Sequence, residues 1–402
     1  MRRRNPWASV VALLSLTAFF ACGEAEREWG SDATVPLEDA GAVDAATLEA
    51  GRLDPSWRGP ADRDLRARGG RLPTHGEATG SSAAGTLPDT AAAESYEDIT
   101  PAATNAPPRL PVGADDEGPS VLRIQVLLDR ALFSPGVIDG RWGKNTEKAV
   151  YWFQHDQGLK ATGTVDSVTY AKLASRAGIA PPVRVHTVAE DDVAGPFVTI
   201  PDDVYEQAEL DCLCYSSRLE ALAERFHATP ELLEKLNPDR DLESLAPGDR
   251  LQVPNVREEL DSEPTKGVAR IVISKEGAYT HALDADGAIL YHFPSTLGSQ
   301  YDPSPDGRLK ITAIEYDPHF HYQPELFHEV PDEEPTAMLP SGPNSPVGVV
   351  WMQLSEPHYG IHGTSEPRTI GYTSSHGCVR LTNWDARFLA RRTAVGTPVE
   401  FR

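Results

Sequence analysis

The sequence predicts a multidomain α+β protein in which helical regions precede a mainly-β C-terminal domain. The 402 residues exceed the length of one ordinary domain. Residues 119–256 contain apolar residues at helical spacing, whereas residues 268–402 contain β-branched and aromatic runs separated by Gly, Asp and Pro. We therefore expect a three-helix bundle over 119–176, a small β-α-α-β module over 183–256 and a mainly-β domain over 268–402.

The chain opens with a pattern typical of an export signal. Three arginines at positions 2 to 4 precede an apolar run from Trp7 to Ala21. This run is long enough for a secretory signal and short of the ~20 residues that span a bilayer. Residues 1–22 are interpreted as a signal peptide, so the mature chain is exported.

The end of this segment reads Phe19-Phe20-Ala21-Cys22-Gly23 and resembles the lipobox of bacterial lipoproteins. The resemblance implies that Cys22 carries a lipid and anchors the chain to a membrane in the periplasm. By resemblance to Gram-negative lipoproteins, Gly23 favours the outer membrane if the cell has one. The alternative is an ordinary cleaved signal with an incidental cysteine.

Residues 23–118 are interpreted as a disordered acidic tether rich in Pro, Gly and Ala. They contain 19 acidic and 8 basic side chains, few aromatic residues and no sustained hydrophobic period. Such a composition buries too little apolar surface to offset the entropy of ordering the backbone. The whole chain has 37 basic and 60 acidic residues, which argues against a nucleic-acid partner.

Apolar positions predict three helices, the first behind Pro119 and the others over 146–153 and 167–174. The segment "GVIDGRWGKNTEKAVYWFQHDQGLKATGTVD", which covers the second helix and the turns on either side of it, resembles the peptidoglycan-binding domain with its paired glycine-aspartate turns. The resemblance implies that 119–176 binds glycan strands of the cell wall. A generic three-helix bundle is the alternative.

Residues 183–256 end in "LEALAERFHATPELLEKLNPDRDLESLAPGDRLQVP", which predicts two helices and a short strand. This text resembles the lysin motif, a β-α-α-β module associated with N-acetylglucosamine-containing glycans. A long insertion separates the first strand from the first helix, and a packing module without glycan binding is the alternative. Cys212 and Cys214 lie in that insertion. We expect small buried side chains there, because a metal lacks partner ligands and a disulfide between strand positions i and i+2 would be strained.

In the C-terminal domain we expect strands over 269–274, 288–293 and 309–316 and a helix over 383–390. Two histidine-rich clusters compete there as candidate sites. The first consists of His319, His321, His328 and Glu329 and offers alternating ligands for zinc. Nearby prolines and the incomplete ligand set favour a surface loop, so we expect no metal and no cofactor.

The second cluster contains Gly360-Ile361-His362-Gly363-Thr364 and Ser374-Ser375-His376-Gly377-Cys378-Val379-Arg380. A lone cysteine beside glycine and histidine in an exported protein favours a nucleophile, since an idle thiol is a liability under oxidising conditions. A histidine accepts the thiol proton, and the sulfur attacks an acyl carbon. Backbone amides around Gly377 are candidates for stabilising the oxyanion. A buried, inert cysteine is the alternative.

The text "GPNSPVG...YGIHGTSEPRTIGYTSSHGCVRLTNWDA...GTPVEF" is similar to the signature of the L,D-transpeptidase catalytic domain. The resemblance implies Cys378 as nucleophile and His362 as proton acceptor, oriented by the Gly363 carbonyl. His376 shapes the pocket or is itself the base. Ser375, Thr364 and Arg380 are expected at the substrate, with Arg380 pairing a stem-peptide carboxylate or forming a structural salt bridge.

The expected activity is 3→3 cross-linking of peptidoglycan stem peptides through a thioester on Cys378. Three alternatives stay open: an L,D-carboxypeptidase, an enzyme that attaches lipoproteins to peptidoglycan, and a non-catalytic wall-binding lipoprotein. The expected partners are therefore stem peptides, glycan strands and a membrane.

Overall fold

A computed structural model describes residues 93–257, 267–326, 330–331 and 333–402. The signal peptide, Cys22 and residues 23–92 of the tether lie outside the described residues, so the interpretations of those segments stay predictions. Within the described ranges, no helix is both long and apolar enough to cross a membrane.

The folded region begins earlier than the sequence predicts, and the tether assignment is wrong over residues 93–118. A 3₁₀ turn at Tyr96–Asp98 is followed by helix α1, Pro101–Asn105. Ile99 is 1% exposed and joins a core that contains Leu122. The few apolar residues of this stretch pack against residues far away in sequence, so local composition did not reveal them.

Glutamine side chains fix the two turns that connect the next three helices. Gln125 and Gln154 each accept a hydrogen bond from a turn glycine, Gly140 N at 2.8 Å and Gly163 N at 3.0 Å. Both glycines have positive φ, +74° and +73°, which explains the glycine in each turn. The helices are α2, Pro119–Arg130; α3, Lys144–Asp156; and α4, Ser167–Ala177.

The following region has two antiparallel strands around two main helices, with a short helix in the insertion. It contributes Phe226 to the same apolar core as Leu122 of α2, so the two N-terminal regions share one core. Its identity as a lysin motif stays a prediction. The elements are β1, Val183–Thr187; α5, Val204–Ala208; α6, Arg218–Arg225; α7, Pro230–Leu236; and β2, Arg250–Pro254.

Cys212 and Cys214 form a disulfide, contrary to the expectation of two unpaired buried side chains. The expectation assumed an extended strand, which would hold these Cα atoms about 6.6 Å apart, near the upper end of the disulfide range. The chain bends here instead and brings the Cα atoms to 5.2 Å, close to the usual separation. Between them, buried Leu213 donates to Ser341 O at 3.0 Å and accepts from Asn344 N at 2.9 Å. The insertion is thereby fixed to the C-terminal domain.

The C-terminal domain is built on an eight-stranded mixed sheet in the order β13-β11-β10-β7-β14-β3-β4-β5. One helix, α8 (Asn383–Ala390), packs on it, and Phe388 and Leu389 enter the core with Ile361 and Val379. The predicted helix and the three predicted strands are confirmed. The strands are β3, Arg270–Ser274; β4, Tyr279–Leu283; β5, Ile289–Pro294; β6, Leu297–Gly298; β7, Gly307–Tyr316; β8, Phe320–Tyr322; β9, Ala337–Leu339; β10, Val350–Leu354; β11, Gly360–His362; β12, Ser374–Ser375; β13, Val379–Arg380; and β14, Pro398–Phe401.

The helical regions pack directly on the C-terminal domain. Lys148 of α3 donates from Nζ to Ala278 O at 3.0 Å, and Asn145 donates to Ile370 O at 2.8 Å. A buried ionic cluster joins Asp129 of α2, Arg257 and Asp385 of α8. The predicted modules therefore form one packed body in the described part of the chain.

The first histidine cluster lies on a surface ribbon. His319 and His321 are exposed, and β8 pairs only with β9 among the described strands. His328 and Glu329 lie outside the described residues. Within the described ranges, no group of three or more His, Cys, Asp or Glu side chains is placed to hold a metal ion.

Candidate active site

The two halves of the second cluster lie on neighbouring strands. β11 and β13 pair in parallel, with Ile361 opposite Val379 and His362 opposite Arg380. Because side chains alternate along a strand and Ile361 and Val379 point into the core, His362 and Arg380 share the opposite face. Cys378 lies in the bend directly before β13, and its thiol has a hydrogen bond with the backbone of Gly360 in β11. The two motifs, sixteen residues apart, thus lie side by side at this edge of the sheet.

His362 is 3% exposed, and its imidazole is fixed on two sides. Nδ1 lies 2.7 Å from the carbonyl oxygen of Gly363, which can only accept, so Nδ1 carries the proton. The ring stacks on Trp351 of β10, with centroids 5.4 Å apart. Burial and the positive charge of Arg380 lower the pKa of His362 to about 3. The imidazole is therefore neutral at physiological pH, with its unprotonated Nε2 able to accept a proton.

Cys378 is half-buried, and its thiol lies 3.6 Å from the carbonyl oxygen of His358. Burial raises the pKa of this thiol to about 11, while a hydrogen bond from the Gly360 backbone and the charge of Arg380 oppose the shift. Both shifts favour a neutral thiol and a neutral imidazole at rest, and they disfavour an ion pair between Cys378 and His362.

We expect the alkylation of Cys378 by iodoacetamide to rise steadily between pH 6 and pH 10. Below the pKa, the thiolate fraction grows about tenfold for each pH unit, and the raised pKa leaves no plateau in this range. Mass spectrometry of the peptide that contains Cys378 gives the rate, with an unstructured cysteine peptide as the reference. A plateau below pH 8 would instead indicate a thiolate already paired with imidazolium.

The turn before Cys378 is tightly tied. Ser375 is 3% exposed; its hydroxyl donates to the Cys378 carbonyl at 2.6 Å and accepts from Gly377 N at 3.2 Å. Ser304 donates to the Gly377 carbonyl at 2.8 Å. Gly377 has φ +105°, and an added Cβ would lie 2.6 Å from the Tyr359 ring.

These contacts bear on two of the expected roles. The Gly377 amide is already bonded to Ser375 and is not free to bind an oxyanion in this state. The Ser375 hydroxyl bonds two backbone groups of the turn, and its place at the substrate stays a prediction. His376 is half-buried in the same turn.

Arg380 lies beside a cavity of about 540 Å³. Its Nε is buried without a hydrogen-bond partner. Glu366 lines the same cavity and acts on the guanidinium through its charge, but no ion pair between the two is found within the described residues. This argues against the structural salt bridge. The cavity is lined by Arg380, Thr364 and Glu366 of the C-terminal domain and by residues of the preceding region, including Gln207 of the insertion and Glu220 of α6.

Thr364 is 4% exposed and its hydroxyl accepts from Glu366 N at 3.1 Å. Its own amide donates to Asn383 Oδ1 at 3.0 Å. Sequence reasoning missed Asn383, which directly follows the motif, and Trp351, whose contact with His362 depends on the pairing of β10 with β11. For Asn383, the only clue in the sequence was its position at the start of the helix predicted over 383–390. For Trp351, the sequence offered no clue.

Comparison with known families matches two segments of this chain. Residues 268–401 match the family model of the L,D-transpeptidase catalytic domain, and residues 117–173 match that of the "Putative peptidoglycan binding domain". The resemblances to these two families are confirmed, whereas those to the lipobox and the lysin motif stay predictions. Two segments of the chain thus match the models of an L,D-transpeptidase catalytic domain and of a putative peptidoglycan-binding domain.

Particular relatives carry the same name. "Putative L,D-transpeptidase YkuD" of Bacillus licheniformis is 29% identical over 181 residues, 45% of this chain and 91% of that protein. A Fuscovulum blasticum protein, "Putative L,D-transpeptidase in ATP synthase subunits region ORF 5", is 34% identical over 30% of this chain and 61% of its own length. "Probable L,D-transpeptidase YbiS" of Escherichia coli is 45% identical, over 16% of this chain and 21% of that protein.

Solved L,D-transpeptidases are more distant. The enzyme from Xylanimonas cellulosilytica aligns over 74% of this chain and 98% of its own, with 16% identity and a TM-score of 0.32. One from Mycobacterium smegmatis covers 34% of this chain and 59% of its own, with 20% identity and a TM-score of 0.28. Both scores lie below the level at which a shared fold is inferred.

Proposed function

We propose that this protein is an exported L,D-transpeptidase that forms 3→3 cross-links between peptidoglycan stem peptides. The observation that supports this most is the neutral His362 imidazole, held with its Nδ1 proton on the Gly363 carbonyl, on the strand beside Cys378. This arrangement leaves Nε2 as the proton acceptor for a thiol at the same edge of the sheet.

In the proposed reaction, Cys378 Sγ attacks the carbonyl carbon of the third residue of a tetrapeptide stem while His362 takes the thiol proton. The C–N bond to the terminal D-alanine breaks, and His362 returns the proton to the leaving amine. The side-chain amine of a neighbouring stem then attacks the thioester, which forms the cross-link and restores the thiol. No cofactor takes part.

Since the Gly377 amide is occupied, the oxyanion requires another donor or a rearranged turn. The guanidinium of Arg380, whose Nε has no hydrogen-bond partner, fits a stem-peptide carboxylate, which an arginine recognises through two parallel hydrogen bonds. Thr364 lines the same cavity through its buried backbone and side chain.

The remaining assignments complete the proposal for a wall-directed enzyme. Lipidation of Cys22 would anchor the exported chain to a membrane in the periplasm, and the residues up to 92 would span the distance to the wall. The 119–176 region and the lysin-motif-like 183–256 region would bind glycan strands and present stem peptides to the catalytic domain.

The test is incubation of the purified exported chain with tetrapeptide muropeptides, followed by mass spectrometry of the products. We expect dimers that lack one D-alanine, and we expect none from the Cys378→Ala variant. Tripeptide monomers alone would assign water as the acceptor and make the protein an L,D-carboxypeptidase. A lysine-containing lipoprotein peptide added to the same reaction tests the attaching activity.

If no product forms while the protein still sediments with purified sacculi, the enzymatic proposal fails and a wall-binding role replaces it. Cys378→Ala serves as the control for sedimentation, because it should bind sacculi as the original chain does.

A further inference from the structure

The loop that holds His362 is itself held by one buried side chain, Asn383. Its Oδ1 accepts hydrogen bonds from Thr364 N at 3.0 Å and Val349 N at 3.3 Å. A Cβ added to Gly363 would lie 2.1 Å from this oxygen, so the amide packs directly against the residue whose carbonyl binds His362. A shift of Asn383 would therefore be transmitted to the imidazole.

The Nδ2 end of the Asn383 side chain bonds one group outside the catalytic domain and one group within it. Asn383 Nδ2 donates to Glu224 Oε2 at 3.0 Å and to Pro343 O at 3.1 Å. Both partners are acceptors, whereas the two backbone amides on the opposite side are donors. This set of partners fixes which end of the side-chain amide faces Thr364.

Glu224 belongs to α6 of the lysin-motif-like region, and a second element orients it. The hydroxyl of Tyr215, in the insertion that precedes α6, lies 2.8 Å from Glu224 Oε1. Tyr215 is fixed in turn, since its carbonyl accepts from Val198 N at 2.9 Å. A continuous chain of hydrogen bonds thus runs from the insertion through Glu224 and Asn383 to the loop that follows His362.

We propose that Glu224 is a positioning residue for the transpeptidase site: acting through Asn383, it holds the Gly363–Thr364 loop that orients the His362 imidazole. The consequence for turnover rests on the proposed function, whereas the effect on the loop does not. The N-terminal region then completes the catalytic site in addition to any role in binding the wall.

The network does not require Glu224 to be charged. Burial raises the pKa of Glu224 to about 7, against the influence of its bonds to Asn383 and Tyr215 and the charge of Arg387; Glu220 on the same helix adds to the rise. When Glu224 is protonated, the Tyr215 hydroxyl can reverse and accept, which leaves the bond from Asn383 in place. Glutamine offers the same pair of groups, one acceptor and one donor.

The test compares Glu224→Ala, Glu224→Gln and the control Arg225→Gln in the full exported chain. Arg225 is next on the same helix and pairs with Asp192 at 2.6 Å, within its own region. For tetrapeptide turnover we expect Glu224→Ala to lower kcat about 10-fold with KM little changed, since a displaced base slows the reacting step without removing substrate contacts. Glu224→Gln should retain most of the activity, and Arg225→Gln all of it.

Hydrogen exchange of the peptide that covers residues 360–366 supplies a readout that is independent of turnover. We expect Glu224→Ala to speed exchange at the Thr364 amide and the other two variants to leave it slow. If the original chain turns over no stem peptide but this pattern of exchange appears, the proposed function fails and the positioning role of Glu224 stands.

The positioning role is wrong if Glu224→Ala matches Arg225→Gln in both kcat and exchange. It is equally wrong if the Gln variant loses as much kcat as the Ala variant, because the acceptor alone would then not suffice. Thermal unfolding of each variant separates these outcomes from a general loss of folded protein.

Discussion

Replacement of Cys378 or His362 by alanine is expected to lower the turnover of tetrapeptide stems by at least about 10⁴-fold. Without Cys378 no thioester forms. Without His362 the thiol, whose pKa is raised to about 11, has no group to take its proton as it attacks. The measurement is product formation under single-turnover conditions, with enzyme in excess over substrate.

The double variant should lose no more activity than either single variant, because the two side chains act as one unit. His321→Ala is the matched control, since this exposed histidine lies on the β8–β9 ribbon of the same domain. It should turn over substrate like the original chain. Additive losses for Cys378 and His362 would show that they act separately, and His376 would then become the candidate base.

The largest expected effect on stability is that of Arg257→Leu. The guanidinium contacts Asp129 Oδ2 at 2.6 Å and also contacts Asp385, and all three side chains are buried. His227 Nδ1 lies 2.9 Å from Asp129, and Ser134 donates to Asp385 at 2.8 Å. Removal of Arg257 leaves two buried carboxylates without their shared cation, which typically costs about 3–5 kcal/mol of unfolding free energy.

Denaturant unfolding of the exported chain measures this loss. Arg368→Leu is the matched control, because Arg368 also joins two regions but pairs with Glu231 at the surface, where such pairs contribute about 1 kcal/mol or less. Adding Asp129→Asn and Asp385→Asn to the Arg257 variant should restore part of the stability. If both arginine variants lose the same small amount of unfolding free energy, the prediction is wrong, and water then solvates the carboxylates of the buried cluster in place of Arg257.

The strands and the helix of the catalytic domain could be predicted from the sequence, because the patterns that indicate them lie within short segments. The strands at 270–274, 289–294 and 307–316 contain β-branched and aromatic runs between turn residues, and α8 contains apolar residues at helical spacing. The sequence predicted that the His362 and Cys378 motifs belong to one site. The parallel pairing of β11 with β13 places these motifs on neighbouring strands. The roles of these side chains stay predictions until turnover is measured.

The misjudged features all depend on distant partners. Ile99 looked like part of a tether because the residues that bury it, such as Leu122, come later in the chain. The Cys212–Cys214 disulfide depends on a bend that Leu213 maintains through its bonds to Ser341 and Asn344. Neither contact leaves a period or motif in the local sequence.

The sequence by itself determined the catalytic domain, its helical N-terminal region and the residues offered for chemistry, because hydrophobic period, turn residues and motif spacing are properties of short segments. Only the tertiary structure decided that the predicted modules pack as one body, that Ser375 bonds the backbone of a turn and that Glu224 reaches the loop behind His362. These are long-range contacts, fixed by how the helices and strands pack against each other and not by the order of residues within any one of them.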